Sequence, residues 1–574
     1  MGFFSLAFLA SWRFRIVLIF LEVPRYILTR VGGSFPRRSV LIETIQRAGR
    51  QAFSLIEHAF DAAFGPRINP LYHLGALSFF FFWVAAASGI YVYVFFETSI
   101  DGAYRSVEYL THTQWYVGGV ARSLHRYASD AMVISVLLHL AREFVLDRYR
   151  GVRWYAWLTG VILLWFLYAS GIGGYWLVWD RLAQYIAVVT TEWFDWLPIF
   201  AEPIARNFLN STSVNDRFFS LLVFMHIGIP LFLLLGMWIH ILRISRAKTN
   251  PPRLIMIGTS LALTALSLVY PALSQGPADL DTLVSRVQPD WFYLAMYPLI
   301  DLWSPGAVWA IAGGGTLLLM LLPWLPRRRE EPAAVVDLAN CNGCGRCFAD
   351  CPYSAVILQP RRDGLPFESQ AVVEPDLCTA CGICVGACPT ATPFRRVSDL
   401  VPGIDMPSLT TRDMRSHILT ATAALAGTDR IMVFGCRTGP DLASLREPGI
   451  ATLALPCLAA LPPSFIDFVI SRRHADGVLF AGCIAGDCYQ RLGVEWTEQR
   501  LAGQRDPYLR GRVPRERLAT AWAGPAGATT LVREIAAFRA RLRAMGPYRR
   551  GSTPSPAAPP SHPPEDHDVS YRLG

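Results

Sequence analysis

No cysteine occurs in the first 340 of the 574 residues. That absence excludes disulfides and thiolate metal sites from the larger part of the chain. A Gly-rich dinucleotide fingerprint is also missing. The glycine run Gly313, Gly314, Gly315 sits inside an apolar segment and follows no strand, so flavin or nucleotide catalysis is expected on another subunit. No small-residue cleavage site follows the apolar N-terminus, which is read as retained on or near a membrane surface. Negative charge is the scarcer sign: 44 Asp and Glu stand against 53 Lys and Arg, for a net +9. The basic residues are mostly Arg beside apolar stretches, a pattern of membrane topology rather than of nucleic-acid binding.

What the chain has in excess is apolar residues, at 52%, with 12% aromatics. Residues 1–73 form an interfacial region with an amphipathic stretch near Arg13 to Leu28. Six apolar segments follow, at 74–96, 117–140, 154–178, 218–242, 254–274 and 306–325. Each can span ~30 Å of hydrocarbon as a helix. Arg142, Arg148, Arg150 and Arg153 follow the second segment, and Arg243, Arg246, Lys248 and Arg253 follow the fourth. Arg327, Arg328 and Arg329 follow the sixth, while Glu97, Glu108, Asp180, Glu192 and Asp279 fill the opposite loops. The positive-inside rule then places the N-terminus and everything after 326 in the cytoplasm of a bacterial inner membrane. The predicted fold is multidomain. An all-α transmembrane bundle covers 74–325 and a linker 326–334. A two-cluster α+β ferredoxin-like domain covers 335–396 and a second linker 397–426. A small α/β domain covers 427–546, and a Pro/Ser-rich disordered tail covers 547–574.

Two segments carry paired histidines. His125 and His139 are 14 positions apart, and so are His226 and His240. Fourteen residues make nearly four helical turns, so each pair faces one way, ~21 Å apart. Both helices run outside to inside, which predicts His125 with His226 near the outer face and His139 with His240 near the inner face. Two such imidazole pairs suit two b haems, and leave iron no open position, which favours electron transfer over oxygen chemistry. Gly75 and Gly89, and Gly160 and Gly174, repeat the same spacing on the flanking segments, giving room beside each ligand for a haem plane. Ionisable residues inside a bilayer are functional by default.

Residues ~68–325 resemble cytochrome b of the bc and bf complexes, through RSLH at Arg122 to His125, HLAR at His139 to Arg142, and HIGIP from His226 to Pro230. The resemblance implies that Arg122 and Arg142 pair with haem propionates and that the protein is a dimer. It also implies an outer quinol-oxidation site at Pro289, Asp290, Trp291 and Phe292, where Asp and Phe replace the family's Glu and Tyr. The shorter Asp can still accept a proton. The extra covalent haem of the bf branch needs a cysteine that is absent from this region, and no CxxCH occurs, so none is expected.

All 12 cysteines lie between 341 and 488. Residues 341–352 (CNGCGRCFADCP) and 378–389 (CTACGICVGACP) are both C-x2-C-x2-C-x3-C-P, the bacterial two-cluster pattern in which the fourth cysteine serves the other cluster. Cys341, Cys344, Cys347 and Cys388 are thus expected to hold one [4Fe–4S] cluster, and Cys351, Cys378, Cys381 and Cys384 the other. Residues 427–546, with Cys436, Cys457, Cys483 and Cys488, resemble the delta subunit of methyl-viologen-reducing hydrogenases, notably in DGVL, GC and GDCY. That resemblance implies one [2Fe–2S] cluster, although one cysteine of the family's CxxC pair is missing here. It also implies a soluble partner, a flavoprotein like the heterodisulfide reductase A subunit, handling NAD(P)H or a disulfide.

The expected function is an oxidoreductase subunit that links membrane quinone, through two haems and three cytoplasmic clusters, to that flavoprotein. Exchange with the partner is expected through the [2Fe–2S] domain, and the ferredoxin part is expected to dock near the inner haem. A Rieske or cytochrome c subunit would accompany an active outer site. The alternative is a membrane anchor and docking scaffold with structural haems.

Overall fold

The computed structural model describes residues 40–199, 209, 214–244, 246–284, 286–290, 293–325, 331–396, 398, 400–443, 445, 447–525 and 527–548. The amphipathic stretch at Arg13 to Leu28 and all but the first two positions of the expected tail lie outside these residues.

The membrane part contains α1 (Val40–Phe64), α2 (Leu74–Phe95), α3 (Ile100–Glu108), α4 (Val120–Val145), α5 (Trp154–Val178), α6 (Arg181–Asp195), α7 (Asp216–Ile241), α8 (Arg253–Val269), α9 (Met296–Leu302) and α10 (Pro305–Leu321). Among the described residues four helical stretches are long and apolar enough to cross a membrane: Pro70–Phe95, Gly151–Val178, Asp216–Ile241 and Pro305–Trp324. The second and fifth of the six expected segments fall short for different reasons. α4 has 26 residues but carries Arg122, Arg126, Asp130, Arg142 and Glu143, while α8 has only 17, or about 26 Å at 1.5 Å per residue. α2 packs along α4, and α5 along α7. Large apolar side chains stay exposed on the outside of the bundle, among them Ile90, Phe224, Leu261 and Leu318. Outward apolar faces of this extent suit lipid rather than water.

Sequence-local rules set the helix ends. Asn215 accepts from the backbone N–H of Arg217 and Phe218 at the start of α7, Asp180 caps α6 through Ala183 N–H, and Ser304 caps α10 through Ala307 N–H. Each satisfies a donor that the first helical turn leaves unpaired.

Beyond the bundle lie β1 (Val335–Val336), α11 (Arg346–Asp350), β2 (Val356–Pro360), β3 (Ser369–Val373), α12 (Ile383–Ala387), β4 (Ile404–Asp405) and α13 (Thr411–Ala423). β2 and β3 form a hairpin, and β4 returns to pair with β1. Residues 397–426, expected to be a linker, therefore include structure that closes onto the cysteine-rich part. A capping box of Thr410 and Asp413 starts α13, and its buried Met414 and Ile418 join the core of the C-terminal domain.

The C-terminal domain holds β5 (Ile431–Cys436), β6 (Ile450–Leu455), α14 (Pro463–Ser471), β7 (Gly477–Gly482), α15 (Gly493–Ala502), β8 (Leu518–Trp522) and α16 (Ala528–Met545). Its four strands are parallel, in the order β6-β5-β7-β8. β5 and β7 are buried along their whole length, as a sheet covered on both faces requires.

Candidate functional site

The four histidines are brought together in two pairs. The rings of His125 on α4 and His226 on α7 have centroids 6.1 Å apart. Two imidazoles sharing one metal through bonds of about 2 Å have ring centres roughly 6 Å apart, so the spacing fits a single iron between them. His139 and His240, one level deeper, line a common cavity of ≈ 400 Å³ with Gly75 and Gly160. That volume falls in the roughly 300–1,000 Å³ range of cofactor pockets.

The glycines stand somewhere more specific than the spacing suggested. Each lies against one histidine ring. A Cβ built on Gly89 comes within 2.8 Å of His125 Cε1, on Gly174 within 3.0 Å of His226 Cε1, on Gly160 within 3.2 Å of His240 Cε1, and on Gly75 within 3.5 Å of His139 Cε1. Without those side chains, the rings reach backbone. His125 Nδ1 is 2.8 Å from Ala85 O and His226 Nδ1 is 2.9 Å from Ser170 O. Both carbonyls sit four positions before a glycine of the set. His240 Nδ1 is 3.0 Å from Thr159 Oγ1. A carbonyl at Nδ1 fixes the proton there and turns Nε2 outward as the ligating nitrogen.

The two arginines of the ligand motifs have protein partners. Arg122 donates to Ser274 Oγ at 2.7 Å, to Thr111 and to Glu108. Arg142 is buried, donating to Glu57 Oε1 at 2.9 Å and to both carboxylate oxygens of Asp487 at 3.0 and 2.7 Å. Of the outer-site residues, Trp291 and Phe292 lie outside the described residues. Asp290 accepts from the Tyr175 hydroxyl and is ion-paired with Arg126, the residue after His125. Arg126 also stacks 4.4 Å over the Tyr175 ring.

Six of the eight cysteines of the two short-spaced runs share one buried core, while Cys381 is buried in a neighbouring cluster and Cys344 is exposed. Cys341, Cys347, Cys384 and Cys388 belong to it outright, with Cys351 and Cys378 packed against it. Cys351, Cys378, Cys381 and Cys384 line a single small pocket. Gly345 and Gly382, each directly after the second cysteine of its run, have φ of 71° and 76°. Only glycine takes that left-handed turn without strain, and the turn reverses the chain around the cysteines. Burial pushes the Cys347 and Cys381 thiols up to about 12, so they would stay protonated unless a metal displaces the proton.

Cys436 ends β5, Cys457 follows β6 by two residues and Cys483 follows β7 directly. Three carboxyl ends of parallel strands thus converge. With order β6-β5-β7, the connections after β5 and β7 leave in opposite directions, the crevice where open α/β sheets bind their ligands. Cys483 and Cys436 sulfurs are 3.6 Å apart. A Cβ on Gly493 would overlap the Cys457 sulfur and come within 3.3 Å of that of Cys488, so a residue without a side chain lets α15 start this close to both thiols. Among the described residues no three His, Cys, Asp or Glu side chains converge tightly enough for a single metal ion.

Several charged residues at the junctions carry no motif. Asp487 is gripped by Arg142 and by Arg148, at 2.5 and 2.8 Å. Burial opposes its charge, yet Arg148 and Arg142 hold its carboxyl well below the usual range. Asp350 is held by Arg500 at 2.5 Å and by Arg505. The one sequence signal for both is position: each Asp directly precedes a cysteine, Cys351 or Cys488.

Residues 60–248 match the family model described as cytochrome b/b6/petB. Residues 340–392 match the 4Fe-4S dicluster domain, and residues 443–546 match the methyl-viologen-reducing hydrogenase delta subunit. The last match begins after Cys436, which the sheet nonetheless brings beside Cys483. Among solved structures, a chain of "Hyperthermophilic respiratory Complex III" is similar at 21% identity with a TM-score of 0.38, the match covering 44% of this chain and 75% of that one. The family matches imply b haem and iron–sulfur clusters in an electron-transfer subunit. The chain therefore joins, in sequence order, regions that match the cytochrome b/b6, 4Fe–4S dicluster and methyl-viologen-reducing hydrogenase delta-subunit family models.

Proposed function

We propose that this chain is the membrane electron-transfer subunit of a quinone oxidoreductase, with two b haems, two [4Fe–4S] clusters and one [2Fe–2S] cluster. The reading rests above all on one observation. Two histidine pairs at two depths each meet glycines of a neighbouring helix, and the cavity of the deeper pair extends to Cys488 of the C-terminal domain. His125 and His226 would hold the outer haem, and His139 and His240 the inner one. Such groups supply one-electron relay when bound. The side chains supply position and charge. Glycines admit the rings, and the carbonyls of Ala85 and Ser170 orient those of the outer pair.

Six membrane spans, with α4 and α8 completing the bundle, follow from this reading. So does a cytoplasmic location for residues after 326 at a bacterial inner membrane. Asp290, with Trp291 and Phe292, makes up the outer quinol site of this reading, and Asp290, which accepts from the Tyr175 hydroxyl, is its proton acceptor. The soluble partner is a flavoprotein, and a Rieske or cytochrome c subunit accompanies the complex if the outer site works.

The test is the absorbance of the purified membrane complex. Two bis-imidazole b-haem components, both reducible by added quinol, are expected. A haem-free protein, or haems that quinol leaves oxidised, would refute the proposal.

A further inference from the structure

The three parts of the chain do not stack in the order in which they are written. Two buried carboxylates hold the stack together. Asp487 joins the membrane part to the C-terminal domain through Arg142 and Arg148. Asp350 joins the C-terminal domain to the ferredoxin part through Arg500 and Arg505, and Trp496 Nε1 donates to the Asp350 carbonyl at 3.2 Å. The C-terminal domain, last in sequence, therefore touches both others.

The cysteines follow the same sequence in space. Cys488 lines the cavity of His139 and His240 itself, whereas the ferredoxin part reaches that cavity through Tyr353, Asp376 and Leu377 and with no cysteine. Cys457 and Cys381 share one buried cluster with Leu492 and Trp496. Cys384 and Cys347 share the core of the ferredoxin part. Cys344 is exposed.

Resting on the electron-transfer reading above, we infer a path whose order differs from the chain. It runs from the inner histidine pair to the Cys436, Cys457, Cys483, Cys488 centre, then to the Cys351, Cys378, Cys381, Cys384 centre, and last to the Cys341, Cys344, Cys347, Cys388 centre. Each step moves one electron, oxidising one centre and reducing the next, with no bond formed. A quinol in the membrane supplies two electrons and releases two protons, and a soluble redox protein takes the electrons one at a time beyond Cys344; the reverse direction balances identically. The soluble partner then meets the ferredoxin part, not the C-terminal domain. Asp487 is a positioning residue that keeps the C-terminal centre against the inner haem.

The experiment compares the intact membrane protein with Cys436→Ser/Cys483→Ser. Freeze-quench EPR follows the [4Fe–4S] signals after rapid haem reduction by a quinol analogue. In the parent, those signals appear in the fast phase. In the variant, haems still reduce and dithionite still reveals both [4Fe–4S] signals, but their fast phase is lost. A fast phase that survives overturns the order while leaving the electron-transfer reading intact. A parent in which haems and clusters never exchange electrons overturns that reading itself. A second variant, Asp487→Asn, retains all three clusters and weakens the relaxation enhancement of the C-terminal cluster by the oxidised inner haem. Unchanged relaxation overturns the positioning role.

Discussion

The four glycines beside the histidines differ in how much space they leave, and that grades a prediction. An alanine in place of a helical glycine gains about 1 kcal/mol of helix propensity. Against this stands the contact of the new methyl with the ring. At Gly75 the Cβ would sit 3.5 Å from His139, an ordinary van der Waals distance, so Gly75→Ala should be neutral or slightly stabilising. At Gly160 the 3.2 Å approach asks the His240 ring to give a few tenths of an ångström. At Gly174 and Gly89 the approaches are 3.0 and 2.8 Å, and at Gly89 a second ring atom, Nδ1, is only 2.9 Å away. The His125 ring cannot swing clear, because Nδ1 is bonded to Ala85 O at 2.8 Å and Nε2 would be committed to iron. Overpacking of this kind costs about 1–3 kcal/mol. Net of helix propensity, Gly89→Ala should weaken the outer site by up to roughly 2 kcal/mol, or up to about 30-fold. The assay is haem content per protein with a potentiometric titration that resolves the two haems. Expected losses rank Gly89→Ala, Gly174→Ala, Gly160→Ala, Gly75→Ala, and the first two spare the inner haem. Equal losses at all four positions, or an inner haem lost in Gly75→Ala with an intact outer haem in Gly89→Ala, would refute the reasoning.

Three other perturbations test the junctions and the outer site. The Asp487 carboxyl is held below its ordinary value of 3.8 by Arg148 and Arg142, so its contribution is fully present above that value and lost only as pH falls below it. Hydrogen exchange at the 483–488 loop should therefore be flat in its protection between about pH 5 and 8; protection that collapses within that window would disprove the latch. Glu57 behaves oppositely: burial raises its carboxyl despite the attraction of Arg142, so its effect on stability is lost as pH rises. Glu57→Gln, which keeps an oxygen for Arg142 Nε, should leave thermal stability at neutral pH unchanged or raised by no more than about 1 kcal/mol, and a clear drop in Tm would count against this. Asp290→Asn should lower outer quinol oxidation by about 10²–10⁴-fold, the usual range for a lost general base, with both haem spectra unchanged; full quinol activity would remove Asp290 from the chemistry.

Much of this molecule is written in local pattern. Spacings of 14 set the histidine and glycine registers because a helix repeats nearly every 3.6 residues, and two C-x2-C-x2-C-x3-C-P runs specify cluster-binding loops because short spacing alone brings thiols together. Apolar length marked four stretches able to cross a membrane, while α4, which carries charge inside the bundle, and α8, which is short, stand outside that criterion. Residues 397–426 looked like a linker because β4 has two residues and its partner β1 lies some 70 positions away.

What pattern could not carry is contact between distant parts. Asp487 meets Arg142 across 345 positions and Asp350 meets Arg500 across 150, and no periodicity encodes such pairs. Cys436 joins Cys483 only because β5 and β7 are neighbours in a parallel sheet. The sequence by itself determined which residues are candidates to hold metal and how they are spaced, since helices and short loops fix spacing by local geometry. Tertiary structure alone decided how the parts stack, because the two carboxylate–arginine junctions and the contact of Arg153 with Tyr353 join residues far apart in the chain.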